Sequence, residues 1–127
     1  MNDNTHSGNQ FFKDKVIWVT GASSGIGEGL AKALAKSSAK VVISARNAEA
    51  LERVRNECVE QGAKMSDILT ISHDVTDFEA IPKAVSVVLE RFSRIDILIN
   101  NAGLGQKSFA IDTTLEVYQR VLNVNVM

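Results

Sequence analysis

Three glycines in the run Thr20-Gly21-Ala22-Ser23-Ser24-Gly25-Ile26-Gly27 stand at spacings that let a backbone wrap around a phosphate. Gly21 permits a turn whose backbone angles are closed to other residues. Gly25 lets the chain approach a pyrophosphate with no Cβ in the way, and Gly27 lets the next helix pack close to a sheet. Ser23 and Ser24 add hydroxyl donors, and Ile26 opens an apolar stripe. The run follows an apolar segment and starts a helical pattern. The free N–H groups and partial positive charge of a helix N-terminus would therefore face the anion. That context carries the reading, since glycine spacing alone is weak evidence and a ligand-free strand-to-helix turn is the plainer alternative. The spacing is GxxxGxG, and no Gly-Lys-Ser/Thr follows, which disfavours a P-loop nucleotidase.

Other chemically capable residues carry less. Cys58 is the one cysteine, so no internal disulfide can form. It falls on an apolar helical stripe beside Val54, which fits a small buried hydrophobe better than a catalytic thiol. His6 lies in a polar tail and His73 far from it, and two distant histidines make no metal site. Tyr118 sits on an apolar stripe with Leu115, Val121 and Leu122 and reads as a core residue.

The elements that would position the glycine run follow from periodicity. VIWVT (16–20) is apolar on both faces, as a central parallel strand should be. Residues 25–37 carry Ile26, Leu30, Ala33 and Leu34 at helical spacing. KVVISA (40–45) is a second strand, and a second helix spans about 48–61, with Gly62 at its C-cap. ILTIS (68–72) is a third strand, a third helix covers about 78–92 with Pro82 in its first turn, and IDILI (95–99) is a fourth strand. A loop follows over about 100–112, then an amphipathic helix from about Thr113 that includes Asn125. The βαβαβαβα order predicts an α/β fold: a Rossmann-type doubly wound parallel sheet with helices on both faces.

With 127 residues, 45% of them apolar and 23% charged, the chain suits one globular core. The net charge of −1, with Lys and Arg dispersed, argues against nucleic acid or an anionic membrane as partner. The tail, residues 1–12, is polar and expected to be disordered. It lacks the pattern of a signal peptide, and no apolar run approaches the roughly 20 residues of a membrane span. A cytoplasmic protein is the expectation, with an anchor elsewhere in a longer parent left open.

TGASSGIG after a first strand resembles the cofactor loop of the short-chain dehydrogenases/reductases, and the resemblance continues in order along the chain. Asp74-Val75 follows the third strand, Asn100-Asn101-Ala102-Gly103 the fourth, and Asn123-Val124-Asn125 comes next. The match runs from about Lys13 to Met127. ISARNAEALERVRNEC and RIDILINNAGLGQ look most like the dehydrogenase/reductase SDR family member 7 group, and are also similar to the 11β-hydroxysteroid dehydrogenases. The resemblance implies hydride transfer between a nicotinamide dinucleotide and a small carbonyl or alcohol. It implies that Gly21, Ser23, Ser24, Gly25, Ile26 and Gly27 hold the pyrophosphate, that Asp74 and Val75 hold the adenine, and that Asn101, Ala102 and Gly103 line the cofactor. Asp74 can also serve as a cap or turn residue. The resemblance makes Asn125 the active-site Asn that holds a water in the proton relay. It implies association through later helices in a full-length parent.

The second strand ends at Ala45-Arg46, where an NAD enzyme usually offers an acidic residue to the ribose 2′-hydroxyl. A small neutral residue beside a guanidinium suits a 2′-phosphate, so NADP(H) is favoured over NAD(H). The alternative for Arg46 is a solvated loop cation. The family's Ser, and its Tyr with a Lys four residues later, have no counterpart: Leu122 stands four residues after Tyr118. The sequence therefore reads as a cofactor-binding fragment whose fourth strand is left with a bare apolar edge. A non-catalytic dinucleotide-binding subunit is the alternative.

Overall fold

A computed structural model describes residues 11–74, 77–101 and 124–126. Four parallel strands form its centre: β1 (Val16–Thr20), β2 (Lys40–Ala45), β3 (Ile68–Ser72) and β4 (Ile97–Ile99). A short β5 (Val124–Val126) joins them, and the order across the sheet is β3-β2-β1-β4-β5. Three α-helices intervene: α1 (Gly25–Lys36), α2 (Ala48–Glu60) and α3 (Ile81–Phe92). The neighbours of β1 are β2 on one side and β4 on the other. The chain thus reverses direction across the sheet at β1, the place where open α/β sheets form a crevice.

Alternation along the strands splits the core in two. Ile17, Val19, Val41, Ile43, Ile97 and Ile99 face α1 and α2, and pack on Leu34, Leu51, Val54 and Cys58. Val16, Trp18 and Val42 face the other way, onto Ala84 and Val88 of α3. Both faces of β1 are buried, which accounts for its unbroken apolar run. Trp18 keeps its polar atom satisfied by donating from Nε1 to Ser44 Oγ at 2.9 Å. Cys58 is 2% exposed, and burial pushes its thiol pKa up, as suits a core residue.

Helix ends follow the local chemistry. Asn47 caps α2 by accepting from the Ala50 N–H at 3.1 Å. Gly62, at φ 114°, terminates it as its spacing predicted, with Gly62 N–H on Val59 O and Ala63 N–H on Cys58 O. The third helix starts later than its periodicity suggests. Phe78–Ala80 is a 3₁₀ turn, and Pro82 sits at the start of the α-helix proper, where its missing N–H costs nothing.

Two expectations need correction. Asn125 was expected in a helix, but Val124–Val126 is a strand, paired antiparallel to β4 with Asn125 opposite Leu98. The outer edge of β4 is consequently not bare. Unpaired N–H and C=O groups on an apolar edge attract any extended segment in reach, and a Val-Asn-Val stretch has the β-branched composition for it. The sheet is accordingly not wholly parallel. Among the described residues no helix is long and apolar enough to cross a membrane. Of the expected tail at 1–12, Phe11 and Phe12 are described, and Phe12 packs against the core rather than extending freely. Residues 1–10 and the start of the fourth helix lie outside the described residues.

Candidate functional site

The C-terminal ends of β1 to β4 gather nearly every described candidate. Gly21 and Gly25 both take positive φ, 64° and 60°, so each needs glycine's freedom. Ser24, extended at φ −162°, is the N-cap of α1, yet its side chain makes no capping bond. The first-turn N–H groups of α1 have no intrahelical acceptor and no capping side chain, which leaves them for an incoming anion. A Cβ built on Gly25 would meet nothing within 4 Å, so open space lies in front of it. A Cβ on Gly27 would lie 2.2 Å from Gly21 O and 2.7 Å from Asn101 Nδ2. Gly27 is the residue that lets α1 seat against the loop. Ser23 is half-buried, Ser24 and Gly25 are exposed, and Ile26 packs on the core. These features fit a pyrophosphate.

The loop is tied to its neighbours from three sides. Ala22 N–H donates to Ser44 O at 3.1 Å, linking it to β2. Asn101, 3% exposed, donates from Nδ2 to Gly21 O at 3.1 Å and from its backbone N–H to Thr20 Oγ1 at 2.8 Å. Thr20 Oγ1 in turn donates to Ile99 O at 3.4 Å. Asn101 is thus a brace between β4 and the glycine loop, and Thr20 is its partner. The sequence reading overlooked Thr20, a lone hydroxyl at a strand end with nothing in its spacing to mark it.

The third tie was also overlooked. Arg53, on α2, donates from Nη2 to the carbonyl oxygen of Ser23 at 3.1 Å. The same guanidinium binds Glu28 through both nitrogens at 3.1 Å, and Glu57 at 3.3 Å. Lys32 completes the group, 2.7 Å from Glu28 and 2.5 Å from Glu57. Hydrogen bonds from Arg53 and then Lys32 lower the Glu28 pKa from 4.5 to about 2. The i,i+4 pairs Glu28–Lys32 and Arg53–Glu57 were visible in the sequence; their meeting across two helices was not.

Arg46 is exposed just past the end of β2, after the buried Ala45, and makes no ion pair among the described residues. Its backbone is held: Ser72 Oγ donates to Arg46 O at 3.1 Å, and His73 N–H to Ala45 O at 2.8 Å. Asp74 follows β3, half-buried, with its carbonyl accepting from Asp77 N–H at 2.9 Å. Asn125 lies on β5 at the register of Leu98, one residue short of the same end of β4. Val75, Ala102 and Gly103 lie outside the described residues. Among those described, no group of three or more His, Cys, Asp or Glu could hold a metal ion.

This arrangement has many relatives. A family model described as short chain dehydrogenase matches residues 15–127. The chain is 48% identical over 115 residues to human dehydrogenase/reductase SDR family member 7, covering 90% of this chain and 34% of that protein. A metagenomic short-chain oxidoreductase solved in complex with NADP superposes with a TM-score of 0.68 at 37% identity, over 74% of this chain and 41% of the other. The 3-ketoacyl-(acyl-carrier-protein) reductase of Brucella melitensis, complexed with NADH, gives 0.66 at 40% identity, over 74% and 36%. The chain spans about a third of the length of the curated relatives it matches. With the glycine loop, its Asn101 brace and this likeness in agreement, the chain belongs to the short-chain dehydrogenase/reductase family of oxidoreductases, built on a Rossmann NAD(P)-binding fold.

Proposed function

We propose that the whole protein transfers hydride between NADP(H) and a small carbonyl or alcohol, and that this chain supplies the cofactor-binding part. Solved relatives carry either NADP or NADH, so the family alone does not choose between them. The residues at the ribose end support NADP(H). Arg46 is the observation that carries the preference: an exposed guanidinium on a pinned backbone, in no ion pair among the described residues. A carboxylate there would repel a 2′-phosphate, whereas a guanidinium can grip one with two charge-assisted bonds. Arg53 cannot take that part, because Glu28 and Glu57 already occupy its donors.

Bound NADPH would supply the hydride. The chain's own residues bind and orient it. The glycine loop and the N-terminus of α1 receive the pyrophosphate, with Ser23 and Ser24 as added donors. Asp74 and Val75 hold the adenine, and Asn101, Ala102 and Gly103 shape the wall beside β4. Asn125 is the residue this chain contributes to proton transfer, as holder of a relay water.

The test is a titration of NADPH and NADH against wild type and Arg46→Ala. Losing a pair of charge-assisted hydrogen bonds should weaken NADPH by roughly 10–100-fold. NADH should change by less than about threefold, since it offers that guanidinium no phosphate. Equal losses for both cofactors would remove the case for NADP(H).

A further inference from the structure

We infer that Arg53 is a positioning residue for the phosphate loop, acting from α2 by holding the carbonyl of Ser23. This deepens the dinucleotide reading and rests on it. The loop needs outside support because of its composition. It turns through two positive-φ glycines, at 64° and 60°, and its N-cap serine makes no side-chain capping bond. Glycine-rich backbone of this kind flips peptide planes at little cost. Gly21 O is fixed by Asn101 and the Ala22 N–H by Ser44 O. The Ser23–Ser24 peptide is held from a different side, by the Arg53 Nη2 bond at 3.1 Å.

Peptide planarity turns that bond into an orienting device. In a trans peptide the N–H of Ser24 points opposite to the C=O of Ser23. With the carbonyl held towards α2, that N–H is directed away from α2 and the bare first turn of α1 lies next to it. The guanidinium is itself fixed. Glu28 grips both of its terminal nitrogens and Glu57 adds bonds from its own helix, while Lys32 bridges the two carboxylates. Two cations and two anions cancel, so the group adds no net charge that would itself attract phosphate. Only a planar fork reaches a carbonyl and two carboxylates together; a lysine offers a single point charge.

The test uses Arg53→Lys and Arg53→Met, with Glu57→Gln as comparison, each first checked for folding by circular dichroism. Amide hydrogen exchange on the cofactor-free protein should accelerate at Ala22 and Glu28, the bonded amides flanking the held peptide, in both Arg53 variants, and clearly less in Glu57→Gln, which leaves the Glu28 grip and the Ser23 bond in place. In titrations, both Arg53 variants should weaken NADPH and NADH alike, on the order of tenfold, the value of one charge-assisted hydrogen bond. That pattern differs from Arg46→Ala, which discriminates between the cofactors. Wild-type exchange and wild-type affinity in folded Arg53→Lys would overturn the assignment. So would an equal loss in Glu57→Gln, since the ion group as a whole, rather than the Ser23 bond, would then set the affinity. If wild type itself bound neither dinucleotide, the functional reading would fail, while the exchange measurement would still decide whether Arg53 holds the loop.

Discussion

Gly25 and Gly27 stand two residues apart, yet their missing Cβ atoms serve different ends. At Gly25 a side chain would meet open space within the protein but would occupy the path of a pyrophosphate, and φ of 60° would strain it. At Gly27 a methyl group would strike the Gly21 carbonyl at 2.2 Å, a fixed backbone group rather than the yielding end of a side chain. Gly25→Val should therefore fold, with a strain of about 1–3 kcal/mol, and lose dinucleotide binding. Gly27→Ala should lose stability first, because α1 must move off the loop; overpacking of this sort costs about 1–3 kcal/mol, or more where backbone is struck. Thermal melts and NADPH titrations on the two variants check this. A Gly25→Val protein with unchanged NADPH affinity would end the loop assignment. The glycine pattern was legible in the sequence because no other residue can adopt or vacate those places. The Thr20–Asn101 brace was not, because it joins residues 81 apart through one hydroxyl.

Between elements, the strands and helices around the loop were legible from alternation and 3.6-residue periodicity, since burial on both faces of β1 and on one stripe of α1 and α2 leaves a clear pattern. β5 was not legible. Its three residues suit a strand, but the unpaired edge of β4 decides their place, and the helical spacing of Leu115, Tyr118, Val121 and Leu122 before them pointed to helix. The α1–α2 contact also depends on partners far apart in sequence, and it makes stability depend on pH. Glu28 titrates at about 2 in the folded protein against an ordinary 4.5, through its bonds to Arg53 and Lys32. A lowered carboxylate pKa stabilises the fold above the unfolded value and loses that contribution as pH falls towards the folded one. The melting temperature should thus fall with pH between about 4.5 and about 2, and Glu28→Gln should flatten that part of the curve while lowering the plateau at neutral pH. Solvent screens these pairs heavily, so the shift in melting temperature should be no more than a few degrees. A slope identical in wild type and Glu28→Gln would show that other carboxylates set the acid response.

For the molecule as a whole, the proposed function separates binding from chemistry along the chain. The order β3-β2-β1-β4 puts the switch point at β1, and the glycine loop, Arg46, Asp74 and Asn101 all sit at that end of the sheet. On the proposed function these residues form the surface that holds the dinucleotide. Proton transfer needs a group near neutral pKa, and an unassisted tyrosine, at about 10, is a poor one. The single tyrosine, Tyr118, has Leu122 four residues on, so no lysine is spaced to lower its pKa as in the pair the family uses. The 127-residue chain by itself should accordingly bind NADPH yet oxidise none of it with any carbonyl offered. Mixing it with a series of aldehydes and ketones and following the loss of reduced nicotinamide checks this, with a parallel titration to establish that cofactor is bound. Turnover by pure material that vanished in Tyr118→Phe would mean that this tyrosine is activated by some other cation. Turnover that survived Tyr118→Phe would mean that proton transfer in this fold does not need a tyrosine, and the role given to Asn125 would have to be reconsidered with it.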